Sequence, residues 1–418
     1  MGHTLAEKIL AAKCDSADLS PGQFINARVD LVLASELSGV LAIEEFEKIK
    51  NARVFDPQKV VFVMDHFTPA KDIKSAEIVK QCREFAQKHG IRFYDVGRAG
   101  IQHVLLPEQG LVAPGDLIAG ADSHTCTYGF MGAFGTGIGS TDAAVAMALG
   151  EMWLKVPESI KFNYYGKLPK WVGGKDLILH TIAQIGVEGA RYQAMEFSGE
   201  AVDHLEMSDR FSMANMAIEA GAKAGLFEAD EKTRQYVRAR GRDDGLYLQS
   251  DPDAVYSAVY EIDVSNFEPF VAVPFLPENV KPVSELNGLE INQAVIGMCT
   301  NGNLEDLRAA AEILKGHQIH PRVRAVIIPG TQKVYLDALR EGLIEIFIEA
   351  NCSVSTPTCG PCLGGHMGVL AAGERCISTS NRNFRGRMGH IASEVYLANP
   401  YIAAASAIAG RIISPADL

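Results

Sequence analysis

The chain has 418 residues, 47% hydrophobic and 22% charged, with 39 glycines, eight cysteines and a net charge of −12. This is globular composition, long enough for about two to four domains that bury cores without disulfide staples. It excludes a membrane span, because no apolar run nears the roughly 20 residues required, and its net negative charge argues against nucleic acid as the main ligand, because affinity for a phosphate backbone rests mostly on Lys and Arg.

MGHTLAEKIL at the start is amphipathic and lacks the charged–apolar–small order of a signal peptide, so the expected location is cytoplasmic. KVVFVMDH (59–66) predicts a strand, SAEIVKQCREFAQKHG (75–90) a helix closed by Gly90, IRFYDVG (91–97) a strand and DLIAGADSH (116–124) another. STDAAVAMALGEMWL (140–154) predicts a helix with Ser140 as N-cap. GAFGTGIGS (132–140) lacks the register of a nucleotide loop and reads as a place for close backbone approach. A second unit starts near Pro157, with a strand at 160–166, a helix at 175–185 and a helix over 211–225. The charged stretch 228–245 reads as a solvated surface. Residues 267–282, with four prolines, read as an extended connector. The third unit repeats the alternation: strand 291–299, helix 304–316, strand 324–330, helix 333–343. Strand–helix alternation implies βαβ units, so the fold class is α/β, three domains with mostly parallel sheets, bounded at 1–157, 158–270 and 271–418.

The reactive residues fall at strand ends. Asp65-His66 ends one strand, Asp122-Ser123-His124 a second and Cys299 a third, and open parallel sheets bind ligands outside the carboxyl ends of their strands. A single Asp-His pair is ordinarily a loop hydrogen bond; two at equivalent ends point to a site. Asn215 and Glu219, spaced i and i+4, share a helix face among apolar neighbours, where a carboxylate is either a proton-transfer group or an exposed edge. Arg382, Arg385 and Arg387 lie in one glycine-containing loop, which is a solvated basic loop or a carboxylate clamp.

TPTCGPCLGGHMG (356–368) carries Cys359 and Cys362 in a loop of Gly and Pro that favours no regular element. A zinc ribbon would need a second C-x-x-C, and a dithiol of the thioredoxin kind would open a helix, which Gly364-Gly365 opposes. Two readings remain from the spacing. Cys299, Cys359 and Cys362 could hold three irons of a cubane and leave the fourth open as a Lewis acid. With His366 they could instead close a structural zinc site in a non-catalytic binding protein.

VMDH, ADSHT, NMAIEAGA, CTNGNLEDL, PTCGPCLGG and SNRNFRGR occur in the order found in the aconitase superfamily, and the chain resembles its isopropylmalate-dehydratase and homoaconitase large-subunit branch over nearly its whole length. The resemblance implies a [4Fe-4S] cluster on Cys299, Cys359 and Cys362 with one open iron. Asp65 and His66 would protonate the departing hydroxyl. His103, Asp122 and His124 would line the site, with Ser123 at the substrate. Asn215 and Glu219 would support the cluster. Asn381, Arg382 and Arg387 match the substrate-carboxylate loop, whereas Arg385 matches no role. The implied activity is that of a hydro-lyase acting reversibly on a hydroxy di- or tricarboxylate. 3-Isopropylmalate, and hence leucine biosynthesis, leads; 2,3-dimethylmalate and homocitrate or homoaconitate are alternatives.

Longer members carry a fourth, swivelling domain with a base serine that this sequence does not contain. The resemblance therefore implies a small-subunit partner in a heterodimer or heterotetramer, with no nucleic-acid or membrane partner. The RNA-binding role of some relatives fits poorly with the negative charge. Two departures stand out: Met298 replaces the usual Ser before the first cysteine, and Leu41 stands near the place of a substrate-binding Gln.

Overall fold

The computed structural model describes every residue except Met1, Ala17 and Asn287. Three sheets dominate. The first is all parallel, in the spatial order Arg92–Tyr94, Val60–Val63, Leu31–Ser35, Leu117–Gly120 and Phe134–Gly137. Both its faces are covered, which is why Val60 to Val63 are fully buried without alternation; each such side chain contributes about 1.5–3 kcal/mol of burial. The second sheet, also parallel, runs Ala224–Phe227, Ala194–Ser198, Ser159–Tyr165 and Ala258–Asp263. The third has seven strands: Val280–Pro282, Phe270–Ala272, Glu394–Leu397, Arg375–Ser378, Gln293–Gly297, Arg324–Ile328 and Ser353–Val354. It is parallel except where Phe270–Ala272 pairs antiparallel with both of its neighbours. A mixed α/β fold with mostly parallel sheets is thus what the alternation implied.

Several local expectations shift. The helix expected over 140–154 is Ser140–Leu149, capped by Gly139 rather than Ser140. Gly150 ends it at φ +72°, and Glu151–Lys155 turns into a strand paired antiparallel with Phe24–Arg28. The glycine-rich run 132–140 contains a sheet strand. The helix expected to run to 225 is α-helical over Met207–Met216 and tightens to a 3-10 turn over Ala217–Ala220. The proline-rich connector supplies two strands at the edge of the third sheet, where a residue without an N–H is tolerated. The charged stretch carries a helix, Glu231–Arg238, with Thr233 and Val237 buried.

Topology positions the site. Glu36, Asp65 and Asp122 follow the carboxyl ends of three neighbouring strands of the first sheet. Cys299, Cys359 and Asn381 follow three strands of the third. Gly297 makes the turn into Cys299 possible: it sits at φ +114°, and a Cβ there would meet the Ile328 carbonyl oxygen at 1.9 Å.

Candidate active site

The two sets of strand ends enclose a cavity of about 250 Å3. Asp65, His66, His103, Asp122, Ser123 and His124 line one wall, and Cys299, Cys359, Cys362, Arg382 and Arg387 line the other. Asn215, Glu219 and Asn381 stand one layer behind. Arg385 points elsewhere, with its guanidinium 4.0 Å from the Phe275 ring centre. Leu41 is half-exposed, and Leu37 of the same helix reaches the cavity instead.

On the first wall, His66 Nδ1 lies 2.6 Å from Asp65 Oδ1. The other oxygen, Asp65 Oδ2, accepts the Gln102 backbone N–H at 2.8 Å. Behind this pair is a carboxylate that no motif had singled out. Glu36 is fully buried, accepts the backbone N–H of Asp65 at 3.2 Å and of Phe67 at 2.5 Å, and lies 3.9 Å from His66 Nδ1. It occupies the same strand-end position that marked Asp65, one strand over, so the signal was present. Burial pulls the His66 imidazole down, but Asp65, then Glu36 and Asp122, outweigh it and push it up to about 10. Burial raises Glu36, with His66 opposing.

A second relay runs along this wall. His103 Nε2 lies 3.0 Å from Asp122 Oδ1, which also accepts the His124 backbone N–H at 2.8 Å. His124 Nε2 lies 2.9 Å from Glu219 Oε1, and the same oxygen accepts from Arg382 Nε at 2.7 Å. Burial opposes the charge on Asp122, yet the bonds from His103 and His124 hold it well below the usual carboxylate range. His124 is raised: burial and Arg382 pull it down, and Asp122 and Glu219 more than offset them. Among the described residues His103 Nδ1 is buried without a partner. Ser123 Oγ reaches His124 Nδ1 at 3.4 Å.

On the second wall the ligand sulfurs of Cys299, Cys359 and Cys362 all lie within 4.8 Å of one another, buried and unpaired in disulfides, a group that could hold a metal. His366 does not join them. Its Nε2 is 3.0 Å from the Pro69 carbonyl oxygen and its Nδ1 3.4 Å from Thr358 Oγ1. Asn381 Nδ2 donates to Cys299 Sγ at 3.2 Å and to Asn215 Oδ1 at 3.0 Å, and Arg387 Nη2 lies 3.7 Å from Cys362 Sγ. Asn215 completes this layer by donating to Thr127 Oγ1 at 2.9 Å and accepting from Thr300 Oγ1 at 3.1 Å. Met298, buried ahead of Cys299, takes φ +65°, a left-handed conformation uncommon for a side chain of its size. The two walls also touch: the Cys359 backbone N–H donates to the Asp65 carbonyl at 2.8 Å.

A family model described as "Aconitase family (aconitate hydratase)" matches residues 7–290 and 281–410. The chain belongs to the aconitase family. It is 62% identical over 419 residues to the 3-isopropylmalate dehydratase large subunit of Moorella thermoacetica, covering 100% of both chains. The large subunit of Thermodesulfovibrio yellowstonii is 61% identical over 419 residues, again covering 100% of both. That of Aquifex aeolicus is 59% identical over 423 residues, covering 100% of this chain and 98% of its own. Among solved structures, the aconitase X of Thermococcus kodakaraensis in its holo form has a similar fold, with a TM-score of 0.52 at 15% identity over 90% of this chain and 88% of that one. The family membership, the hydro-lyase class and the fold read from the motifs thus stand. Among the described residues no helix is long and apolar enough to cross a membrane.

Proposed function

We propose that this chain is the large, catalytic subunit of a 3-isopropylmalate dehydratase, a [4Fe-4S] hydro-lyase that works with a small subunit. The observation that carries the reading is the meeting, in one cavity, of three free thiols with a carboxylate-paired histidine and two arginines. Full-length identity near 60% to relatives so named selects the substrate. The word "large" in those names supports the partner.

The donor set fits the cluster. Three thiols converge, and the side chain that would close a four-ligand zinc site, His366, is engaged elsewhere. Cys299, Cys359 and Cys362 would hold the cluster, which supplies one iron without a protein ligand, a Lewis acid for an oxygen-rich substrate.

The chain's own residues do the rest. Arg382 and Arg387 bind substrate carboxylates as guanidinium forks. Glu219 fixes the orientation of Arg382 through its 2.7 Å bond and at the same time holds His124. Asp65 keeps His66 protonated at neutral pH, so that its ring delivers a proton to the departing hydroxyl as the carbon–oxygen bond breaks and water leaves. The proton on the neighbouring carbon goes to a base carried by the small subunit. Reversal with water adding at the other carbon converts one hydroxy acid into its isomer.

The test begins with iron, acid-labile sulfide and zinc per chain on protein purified without oxygen. About four irons and four sulfides support the reading; about one zinc and no sulfide overturn it. Turnover of 3-isopropylmalate is then compared with that of 2,3-dimethylmalate and homocitrate, with and without the small subunit. The isolated chain is expected to be inactive, and restored turnover that favours 3-isopropylmalate is the expected result.

A further inference from the structure

One cationic group in the interior belongs to neither wall. Lys175 opens the helix Gly174–Ile185, on the second sheet's side of the molecule, and only 1% of it is exposed. Its partners are two backbone carbonyl oxygens rather than a carboxylate: Nζ donates to the Thr379 oxygen at 3.0 Å and to the Ser380 oxygen. Burying an ammonium against neutral acceptors is costly, so a side chain kept in this position must return something specific.

What it holds is the start of the loop that serves the second wall. Thr379 is locked on its side-chain face as well, because its Oγ1 accepts the Gly297 N–H at 2.9 Å and lies 3.2 Å from the Gly297 carbonyl, two residues before Cys299. The next residues are Asn381, with its amide 3.2 Å from Cys299 Sγ, and Arg382, with its guanidinium on Glu219. The neighbouring Asp176 already fastens the helix to the third sheet: it accepts the Phe270 N–H and the Asn399 amide, each at 2.8 Å. Lys175 ties the same helix to a different place, the first residues after the strand Arg375–Ser378, where the loop begins. Burial pulls its amine down to about 7.

We propose that Lys175 is a positioning residue for the substrate-carboxylate loop: by clamping the carbonyls of Thr379 and Ser380 it sets where Arg382 and Asn381 stand. The proposal rests on the function argued above for Arg382. Lys175 does not line the cavity between the two walls, so it acts through the loop.

The experiment uses the full chain carrying Lys175→Met, which keeps the length and removes the donor. Lys175→Gln, which keeps an N–H and removes the charge, stands beside it. In the cluster-free chain, backbone amide exchange over 379–383 is expected to accelerate about tenfold in K175M, with the strand Gln293–Gly297 unchanged. In the complex with the small subunit, KM for 3-isopropylmalate is expected to rise about tenfold while kcat changes by less than about threefold. K175Q is expected to fall between K175M and the parent on both readouts, and it replaces K175M if that variant does not fold. Unchanged exchange and KM would overturn the proposal. So would failure of both variants to fold, which would make Lys175 a residue of the fold itself. A parent protein without cluster or turnover would overturn the functional reading, and the exchange comparison would still decide the clamp.

Discussion

The two walls of the cavity are held by different means. On the acid wall every carboxylate oxygen behind His66 is spoken for: Asp65 by the His66 ring and the Gln102 N–H, Glu36 by the N–H groups of Asp65 and Phe67. Three of those four bonds come from backbone, so the geometry follows directly from the strand ends. On the cysteine wall the contacts to sulfur are side-chain contacts, Asn381 at 3.2 Å and Arg387 at 3.7 Å, and the loop bearing Cys359 and Cys362 contains no regular element. The acid is fixed mainly by backbone bonds, whereas the sulfur atoms of Cys299 and Cys362 are met by side chains. Damage to the acid wall should therefore change chemistry without changing metal content, and damage to the cysteine wall should change both.

The largest expected effect breaks the comparison at the sulfur side. Cys359→Ala keeps the backbone bond to the Asp65 carbonyl but removes one of the three thiols that could hold a metal. Iron per chain is expected to fall to near zero and activity by more than about a thousandfold, while circular dichroism stays native. Full iron content in this variant would show that Cys359 is not a ligand.

Asp65→Asn cuts the other wall. Activity is expected to fall by about 10²–10³-fold with iron unchanged, since a positioned proton donor contributes on that order. The pH dependence has a definite sign. His66 is raised in the folded chain from an ordinary 6.5 to about 10, so the stability contributed by its proton is fully present below about 6.5 and is lost as pH rises through 10. Removing the Asp65 charge takes away the largest influence that raises His66 and leaves Glu36 and Asp122 alone against burial, so the ring is expected to lose its proton at lower pH than in the parent. The variant's activity should then decline at a lower pH than the parent's. A parallel pair of pH profiles would exclude His66 as the acid.

Arg382→Lys sits between the walls, because Glu219 joins that guanidinium to His124. A point charge replaces a fork, and KM is expected to rise about tenfold to a hundredfold, with kcat less affected. The smallest effect sharpens the comparison. Glu36→Gln leaves one of the two backbone N–H groups, on Asp65 or Phe67, without its acceptor, which costs about 1–3 kcal/mol in unfolding experiments, and iron content stays at the parent's value. Loss of iron in this variant would mean that the walls are not separable.

Much of this was legible before any coordinates. The strand-end rule located Asp65, Asp122 and Cys299, and the cysteine spacing with the six ordered motifs located the family. Failures came where long-range structure overrides local pattern. The helical periodicity of 140–154 ignored Gly150, whose φ of +72° turns the chain into a strand. Four prolines suggested a connector at 267–282 because nothing local tells an edge strand from a loop. Glu36 follows a strand end as Asp65 does, but no strand was expected over 31–35, and the N–H groups it accepts from lie about 30 positions away. Lys175 gave no signal at all: the carbonyls it meets are more than 200 residues along the chain.

The Cys359 N–H and the Asp65 carbonyl, 2.8 Å apart in space, are separated by nearly three hundred residues. Their meeting sets a timetable for biogenesis. Asp65 and its strand leave the ribosome early and can pair with near neighbours, but the cavity gains its second wall only after Arg387 has been made. Long-range closures of this kind come late in folding. A nascent chain thus carries Asp65 and His66 long before the three thiols can meet, and anything those thiols hold must wait for a chain that is almost complete.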